Sequence, residues 1–405
     1  MSPSSVPTAA AGSSASTSDE IAVVPYSERR RVLFALYYYR PYVSGLTLHI
    51  QRLADALRLR GWDVEIITTR YSFELPVIEE MNGVVVHRVG AYGRLSKGIL
   101  APRFVPAVVR AARRADVVVP VLPLAESAAM AALIPKRKLL PFYVCDLTLG
   151  PSAVERAISQ VSSASARYTT GRARQFLVLS QDFAQASAIV GDQAERAVGC
   201  SPIIETERWV YDDPKRIDVR FRLQGRPVVG FVGRLVAEKG LPQLIGAMDL
   251  VRREIPDAML VIVGDSANIA GGGMRHDLEA RSSAEHVVFT GFLPDEDLPS
   301  FYARCDVLCL PSTDPLEAFG MVQVEAMLCG TPVVASDLPG MRIPVQTTRM
   351  GSLVPPGDVE ALAAALVATI RTPPVDHLSR DEVAAAFDGT ASLDAFERAA
   401  NDLTA

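Results

Sequence analysis

The chain has 405 residues, more than one hydrophobic core normally supports, so two domains are expected. Hydrophobic residues make up 49% and charged residues 21%, as in ordinary globular proteins, and no apolar run reaches the roughly 18–20 residues that span a bilayer. The formal net charge of -5 argues against nucleic-acid binding, because there is no overall positive field to collect phosphates.

The first 28 residues are mainly Ser, Ala, Thr and Pro with few large apolar side chains. They cannot bury enough surface to offset the entropy of ordering them, and they lack the basic start and apolar stretch of a signal peptide. We therefore predict a disordered tail over residues 1–28. Five scattered cysteines indicate reduced thiols and a cytoplasmic protein.

The ordered part begins with a strand, a helix and a second strand. Residues 32–39 form a continuous apolar run, typical of a strand whose two faces are both covered in a parallel sheet. Leu46 to Arg60 places apolar side chains on one helical face, Gly61 ends the helix, and Val64 to Thr68 is the next strand. The pattern predicts a βαβ unit.

Further strand candidates follow in two series. The first comprises residues 84–89, 116–122, 139–145 and 175–179; the second comprises 228–232, 259–263, 287–290, 307–310 and 332–335, with helices over 241–253 and 361–370. This alternation predicts an α/β protein with two Rossmann-like, doubly wound parallel-sheet domains. Pro202 and a polar connection over 201–214 interrupt the pattern, so we assign 29–205 to an N-terminal domain and 206–385 to a C-terminal domain.

The turn after the first strand contains Gly45 at a helix start. It lacks the G-x-G-x-x-G pattern, and Thr69 and Arg70 stand where a ribose-binding acid would follow the second strand, which argues against an NAD-binding unit. Backbone N–H groups at Gly45 can face a diphosphate across a cleft. An ordinary turn residue is the equally open alternative.

A basic stretch over residues 94–114 interleaves arginines and a lysine with apolar residues. It contains Arg94, Lys97, Arg103, Arg110, Arg113 and Arg114. Two interpretations remain open: a solvated helix face, or peripheral contact with anionic lipid or a lipid-linked acceptor on the inner face of the plasma membrane.

Two cations follow the first strand of the second series, where ligands gather in parallel sheets. Gly233 and Arg234 come directly after this strand, and Lys239 lies five residues further on. A guanidinium fork and an ammonium point charge can balance the charge of a departing diphosphate. The alternative is a solvated face with Glu238 as partner. No Asp-x-Asp metal motif stands in a suitable loop, so no metal is expected.

The segment over residues 314–336 is the most informative in the chain. Glu317 and Glu325 flank a helix start formed by Phe319, Gly320, Met321 and Val322. The backbone N–H groups there can approach an anion, and Glu325 can accept hydrogen bonds from a ribose. At 1.5 Å per residue the two acids would be roughly 12 Å apart on a helix, so they serve different parts of one long ligand.

These motifs resemble the signature of retaining glycosyltransferase family 4, the glycosyl transferases group 1, which has the GT-B fold. The resemblance extends over nearly the whole chain after residue 30. It implies an enzyme that moves a hexose-type sugar from a nucleoside-diphosphate-sugar donor to an acceptor hydroxyl in glycan or cell-surface polysaccharide synthesis. It also implies a C-terminal helix, over residues 386–405, that crosses back to the N-terminal domain.

The resemblance assigns roles to individual residues. Glu317 contacts the donor sugar, Glu325 holds the ribose, and Arg234 and Lys239 hold the diphosphate without a metal. Phe292 and Leu293 belong to the loop that brackets the nucleotide base. Family members commonly have Gly-Gly where this chain has Ser44 and Gly45, and related enzymes are thought to react at the front face of the sugar.

One acceptor-side position departs from the family. Many members have a His in the motif that ends at Asp146, whereas this chain has Val144. Asp146 is assigned to the catalytic residues as a ligand for an acceptor or donor hydroxyl. His49 lies one turn into the first helix and could either enter the cleft or lie on the polar side of the helix; we expect the polar side. The valine is the strongest sequence argument for reduced or altered activity.

The sequence thus predicts a retaining, metal-independent glycosyltransferase. Two alternatives stay open: a nucleotide-sugar 2-epimerase of the same fold, which needs an acid and histidine cluster that we cannot assemble, and a catalytically silent nucleotide-sugar-binding protein. The base, the sugar, the acceptor, the linkage and the oligomeric state depend on variable loops and are not predicted.

Overall fold

A computed structural model describes residues 29–95, 98–147, 152–264, 274–281 and 285–403. The predicted N-terminal tail, residues 1–28, lies outside the described residues. So does Lys97 of the basic stretch.

The N-terminal domain is built on a parallel sheet. Its strands are β1 (Arg31–Ala35), β2 (Asp63–Arg70), β3 (Ile78–Met81), β4 (Val84–Gly90), β5 (Gly93–Leu95), β6 (Gly98–Leu100), β7 (Val117–Leu122), β8 (Phe142–Tyr143), β9 (Phe176–Val178) and β10 (Ala197–Gly199). Eight of them form one sheet in the order β10-β9-β8-β7-β1-β2-β4-β3, in which only β3 is antiparallel to its neighbour; β5 and β6 form a separate hairpin.

Helices cover both faces of this sheet. They are α1 (Gly45–Leu59), α2 (Phe104–Ala112), α3 (Ser127–Leu133), α4 (Ala153–Arg172) and α5 (Gln181–Ala186). Because side chains alternate along a strand, Val32 and Phe34 of β1 pack in one buried cluster with α1, whereas Leu33 and Ala35 pack in a second cluster with α2. Two apolar faces explain why β1 is apolar from Val32 to Ala35.

The C-terminal domain repeats this plan. Its strands are β11 (Val228–Val232), β12 (Met259–Val263), β13 (Val287–Gly291), β14 (Val307–Leu310), β15 (Val333–Ser336) and β16 (Gly351–Val354), in the order β13-β12-β11-β14-β15-β16 and all parallel. Its helices are α6 (Lys215–Phe221), α7 (Leu241–Glu254), α8 (Arg275–Arg281), α9 (Leu298–Arg304), α10 (Met321–Leu328), α11 (Ile343–Thr348), α12 (Val359–Arg371) and α13 (Arg380–Phe387).

Some predicted strand limits were wrong. The strand predicted over residues 32–39 ends at Ala35, although the Tyr37 carbonyl still accepts from the Thr69 N–H at 3.2 Å. The chain then turns, and the Tyr42 N–H donates to the carbonyl of Tyr39 at 3.2 Å. The strand predicted over 139–145 shortens to Phe142–Tyr143. The polar edge strand β3, the hairpin, β10 and β16 were not predicted, since short or half-exposed strands have no continuous apolar run.

The last helix, α14 (Thr390–Asp402), packs against the N-terminal domain. Phe396 is fully buried there, with its ring centroid 6.3 Å from that of Phe34 and 5.7 Å from that of Trp62. Arg60 at the end of α1 pairs with Asp394 at 2.5 Å. Residues 200–214 contain no helix or strand, and the exact domain boundary stays a prediction.

The carboxyl ends of the two sheets face each other. α1 begins at Gly45 after β1, and α10 begins at Met321 after β14. A Cβ placed on Gly45 would lie 3.7 Å from Cε of Met321, so these two helix starts meet across the interdomain cleft.

Candidate functional site

Two groups that the sequence places at the donor lie in direct contact. The Lys239 ammonium forms an ion pair with the Glu317 carboxylate, and their side chains are only 15% and 18% exposed. Lys239 lies in the turn after β11 and Glu317 in the loop after β14. The Thr313 N–H donates to the carbonyl of Glu238 at 3.0 Å and joins the two loops, so strand order brings both side chains together.

Glycines allow these loops to approach closely. A Cβ on Gly240 would overlap the carbonyl oxygen of Pro311, and Gly240 has a φ of +69°. The Gly233 N–H donates to the carbonyl of Val263 at 3.0 Å, which anchors the turn that carries Arg234. Arg234 is 44% exposed, with its guanidinium 3.9 Å from Glu238. Glu238, which the sequence offered as an alternative partner of Arg234, therefore lies near it. The role of Arg234 at the diphosphate stays a prediction.

The start of α10 presents backbone donors to the cleft. Gly320 is its N-cap, with a φ of +74° and no side-chain cap, and the first N–H groups of a helix have no partner within it. Buried Gln323 donates from Nε2 to the carbonyls of Phe319 at 3.1 Å and Met341 at 2.9 Å. Its amide holds the loop that leads into the helix, a role that the sequence did not predict.

Glu325 is the buried acid of this site. It is 7% exposed, and its carboxylate accepts a hydrogen bond from the Tyr302 hydroxyl at 2.9 Å. Burial raises the pKa of Glu325, while the nearby Arg52 guanidinium and the Tyr302 hydrogen bond oppose that shift. Only Glu325 lies on the helix; Glu317 lies in the loop before it, so the two acids face different parts of the cleft.

The N-terminal domain contributes Gly45 and an arginine that sequence reasoning missed. Ser44 caps α1 through a capping box with Thr47. Arg52 is buried; it donates to the carbonyl of Ile203 at 3.2 Å, and its guanidinium lies 3.8 Å from Sδ of Met321. Arg52 thus links α1 to the start of α10. In the sequence, Arg52 stands at an ordinary polar position of the predicted helix, so nothing in the pattern marked it as part of the site.

Asp146 is held within the N-terminal domain. Its carboxylate accepts hydrogen bonds from the Tyr143 hydroxyl at 2.7 Å, the Ser187 hydroxyl at 2.5 Å and the Ala188 N–H at 2.9 Å. Val144, where the family has a His, is 5% exposed. The catalytic role of Asp146 stays a prediction.

The expected position of His49 was wrong. His49 is 2% exposed, its ring contacts Phe142 edge-on at 5.2 Å between centroids, and neither ring nitrogen has a hydrogen-bond partner among the described residues. Burial, with Arg52 nearby, lowers its pKa to about 3, so the ring is neutral. The reason is helical spacing, since position 49 lies one turn before Leu53 on the sheet-facing side.

The predicted base-binding loop presents one exposed ring. Phe292 is 70% exposed directly after β13, whereas Leu293 is 2% exposed and packs in the core of its domain. Phe292 therefore has a free aromatic face, and Leu293 would act through its backbone. Both roles stay predictions.

The basic stretch includes most of the β5–β6 hairpin and the helix α2, which packs on the sheet of its own domain. Phe104 and Val108 of α2 are fully buried, so they are not available to lipid, while Leu100 is 59% exposed. Arg103, Arg110 and Arg113 point to solvent. No helix among the described residues is long and apolar enough to cross a membrane. Across all the residues that the structure describes, no group of three or more His, Cys, Asp or Glu side chains is arranged to hold a metal ion.

Two family models match the chain. The model "Glycosyl transferases group 1" matches residues 213–380, and "Glycosyl transferase 4-like domain" matches residues 44–198. The phosphatidyl-myo-inositol mannosyltransferase of Mycobacterium leprae is 30% identical over 365 residues, which cover 87% of this chain and 89% of the relative.

A second relative matches over a shorter region. The GDP-mannose-dependent alpha-(1-6)-phosphatidylinositol monomannoside mannosyltransferase of Mycolicibacterium smegmatis is 38% identical over 176 residues, 41% of this chain and 44% of the relative, so the match spans less than half of that protein. Among solved structures, the Anabaena HepE protein in complex with UDP and glucose superposes with a TM-score of 0.67 at 23% identity, over 93% of this chain and 100% of that chain.

Proposed function

The chain belongs to the glycosyl transferases group 1 family and has the GT-B fold, and from this premise we propose that it is a glycosyltransferase that uses a nucleoside-diphosphate-sugar donor. We further propose that the transfer retains the anomeric configuration and needs no metal ion. The observation that carries the proposal is the convergence of Lys239, Glu317 and Glu325 around the start of α10.

We propose a partner in the cleft for the ribose, for the diphosphate and for the sugar of the donor. Glu325, oriented by Tyr302, would accept hydrogen bonds from the ribose hydroxyls. The N–H groups of Met321 and Val322, with Lys239, would hold the diphosphate, since a helix start favours an anion. Lys239 would then exchange part of its contact with Glu317 for the phosphate oxygens, leaving Glu317 to orient the sugar hydroxyls.

In the proposed front-face reaction the bond from the anomeric carbon to the diphosphate oxygen breaks, and a bond from the same carbon to the acceptor oxygen forms on the same face. The acceptor proton passes to an oxygen of the departing phosphate. Lys239 and the helix start stabilise the charge that develops there, which is the main catalytic contribution expected of fixed donors in a dry cleft.

We propose that an aromatic cluster of the N-terminal domain forms the acceptor side of the cleft. The rings of Tyr38 and Tyr42 lie 4.8 Å apart, and Tyr71 lies 5.7 Å from the first and 6.0 Å from the second. Tyr42 is only three residues before Gly45, so this cluster borders the donor site. We propose an acceptor with a polyhydroxylated ring, whose apolar face packs on these rings; both relatives named above are described as acting on phosphatidylinositol compounds.

Location and membrane contact are also proposals. All five cysteines are free, which suits a cytoplasmic protein. Exposed Arg103 and Arg110, with exposed Leu100, support peripheral contact with anionic lipid. Flotation with liposomes containing and lacking anionic lipid tests this; absence of salt-sensitive binding contradicts it.

A nucleotide screen tests the main proposal. UDP, GDP, ADP and dTDP, and the corresponding sugar donors, are added in a thermal-shift assay, since a ligand that binds the native state raises the melting temperature. We expect one base to stand out, with GDP-mannose and UDP-glucose as first candidates because of the relatives and the HepE complex. No shift with any of them would contradict a nucleotide-sugar site.

Product analysis separates the alternatives. Transfer to a ring-shaped acceptor in the presence of EDTA, with the anomeric configuration read by NMR, supports a retaining and metal-independent enzyme. Conversion of the donor without acceptor to a different nucleotide sugar indicates an epimerase. Binding with neither transfer nor hydrolysis indicates a silent binding protein, for which Val144 is the sequence argument.

A further inference from the structure

A contact between the two domains lies at the start of α5. Asp182, in the first turn of α5, accepts a hydrogen bond from the N–H of Gly340 at 2.7 Å, and Nε of Arg342 lies 3.8 Å from the same carboxylate oxygen. Gly340 and Arg342 belong to the loop between β15 and α11 in the C-terminal domain. A first-turn acid usually stabilises its own helix. Here it also binds the other domain.

The packing around Gly340 leaves no room for a side chain. A Cβ on Gly340 would overlap the carbonyl oxygen of Ala318 and lie 3.2 Å from Cβ of Phe183, and its φ is +78°. The loop is therefore enclosed between Phe183 of the N-terminal domain and Ala318 of the C-terminal domain.

Ala318 connects this contact to the candidate site. It is 5% exposed and packs in the N-terminal-domain cluster that contains Phe183 and Tyr143, although it belongs to the other half of the chain. It directly follows Glu317 in the sequence. The position of Ala318 against the N-terminal domain therefore sets where Glu317 enters the cleft.

The Gln323 amide links the same loop to the donor helix. Its Nε2 donates both to the carbonyl of Met341, next to Gly340, and to the carbonyl of Phe319, next to Ala318. Because Gln323 is fully buried, its two hydrogen bonds are protected from water. The loop and the start of α10 are thus tied together and would move as one unit.

We propose that Asp182 is a positioning residue for the transfer reaction. It forms an interdomain latch with the Gly340 N–H; Arg342 adds a more distant charge at 3.8 Å, since its Nε lies closer, at 2.8 Å, to Asp337 of its own domain. Through Ala318 this latch places Glu317 and its partner Lys239 in the cleft. The inference rests on the proposed function, but the latch itself is a property of the domain arrangement. Asp182 acts through Gly340 and Ala318 and has no direct chemical role.

Three variants separate this role from a general loss of stability. Asp182→Ala removes the acceptor for the Gly340 N–H, whereas Asp182→Asn keeps an acceptor oxygen and loses the charge. Asp192→Ala is the matched control: Asp192 is an exposed acid that pairs with Arg167 inside the N-terminal domain, 2.8 Å from Nη1. Melting temperatures confirm that all three proteins are folded.

The first measurement is solution X-ray scattering without nucleotide. We expect a larger radius of gyration for Asp182→Ala, an intermediate or wild-type value for Asp182→Asn, and a wild-type value for Asp192→Ala. A scattering curve of Asp182→Ala that matches the wild type overturns the latch. This measurement does not depend on catalysis, so it decides the latch even if the wild type hydrolyses neither UDP-glucose nor GDP-mannose, a result that would count against the proposed function.

The second measurement is turnover of those two donors. For Asp182→Ala we expect kcat to fall about tenfold, because a displacement of catalytic groups by about 1 Å can cost up to about a hundredfold. The dissociation constant of UDP should stay within about twofold, since the groups proposed to hold the nucleotide lie in the C-terminal domain, apart from the Gly45 backbone. Asp182→Asn should recover part of kcat. An opened Asp182→Ala protein with wild-type kcat overturns the positioning role.

Discussion

Lys239 is the residue on which the chemistry of the candidate site depends most. Its ammonium is mostly buried and already faces a carboxylate, so it is held in place at the point where the diphosphate is proposed to leave. Arg234 is more exposed and has only a distant ion-pair partner. The geometry therefore supports a stronger contribution to transition-state stabilisation from Lys239 than from Arg234.

We predict that Lys239→Ala lowers turnover about 10²- to 10³-fold, the usual effect of removing one fixed donor to a developing anion. The effect on folding should be much smaller. Kinetics with the donor found in the screen, together with melting temperatures, measure both. Lys215→Ala is the control, since Lys215 is 86% exposed and pairs with exposed Asp213 at 3.6 Å. Near-normal turnover of Lys239→Ala would reject its assigned role.

The ionised Glu325 carboxylate is proposed to favour nucleotide binding, but its burial lowers the stability of the folded protein. Burial raises its pKa, so the folded protein holds this proton to higher pH than the unfolded chain, whose value is near 4.5. As pH rises above that value, folding must bury a charge, and the free energy of unfolding falls. The carboxylate is thus costly to the free protein at neutral pH, where a ribose would use it.

We predict that Glu325→Gln becomes more stable relative to the wild type as the pH rises above about 4.5, the ordinary pKa of this carboxyl group, since the amide has no charge to bury and still accepts from Tyr302. Affinity for the preferred nucleotide should fall by about 10- to 100-fold, the loss of one hydrogen bond to a charged group. Melting curves and titration calorimetry measure the two effects. A pH-independent difference in melting temperature would contradict the assigned burial.

Glu382→Gln is a control of opposite sign. Hydrogen bonds from the Ser379 hydroxyl and N–H lower the pKa of Glu382, so its stabilising contribution is present above its ordinary pKa and is lost as the pH falls. This variant should therefore lose stability relative to the wild type as the pH rises. The same sign of change in both variants would show that general charge effects dominate.

At the scale of elements, the start of α10 depends on a glycine. Gly320 combines a positive φ with close neighbours: a Cβ there would lie 2.5 Å from Cδ2 of Leu310 and 2.8 Å from Nε2 of Gln323. The helix start can therefore lie directly above β14 only if this residue has no side chain. Glycine serves both the backbone conformation and the packing.

We predict that Gly320→Ala destabilises the protein by about 2–4 kcal/mol, because it adds a steric clash to the cost of positive φ. Gly225→Ala is the matched control: Gly225 has a φ of +70°, but its Cβ would meet nothing within 4 Å. Urea unfolding measures the loss of stability in both variants, and the difference between the two losses gives the cost of the steric clash. Equal losses in the two variants would show that Leu310 and Gln323 move aside freely.

The elements differ in how well the sequence predicted them. β11, β12 and β14 agree with the predicted limits residue for residue, because each is a short apolar run buried on both faces. β3 and β16 were missed, since a strand with exposed or small residues is defined by its neighbour and not by its own pattern. His49 was misplaced because polarity alone does not show which side of a helix a residue occupies.

At the scale of the whole molecule, α14 ties the end of the chain to the N-terminal domain. Phe396 packs between Phe34 and Trp62, and Trp62 also donates from Nε1 to Glu397 at 3.0 Å. The other tryptophan, Trp209, packs edge-on against Tyr302 of the C-terminal domain, 5.9 Å between centroids. The two indoles therefore report on different domains.

We predict that Phe396→Ala costs about 3–5 kcal/mol, the usual loss for a buried aromatic side chain, and that the loss is confined to the N-terminal domain. In variants that keep only Trp62 or only Trp209, urea titrations followed by fluorescence should show the transition reported by Trp62 at lower urea and that reported by Trp209 unchanged. Parallel shifts of both signals would show that the domains unfold as one unit.

The sequence by itself determined the two α/β domains and the local motifs of the donor site, because buried parallel strands, helix starts and glycine turns are encoded by neighbouring residues. Only the tertiary structure decided which distant groups meet: Lys239 with Glu317, Glu325 with Tyr302, Asp182 with Gly340. Strand order in the sheet and the contact between domains set these pairs. Neither can be inferred from the spacing of side chains along the sequence, because the paired residues are far apart in the chain.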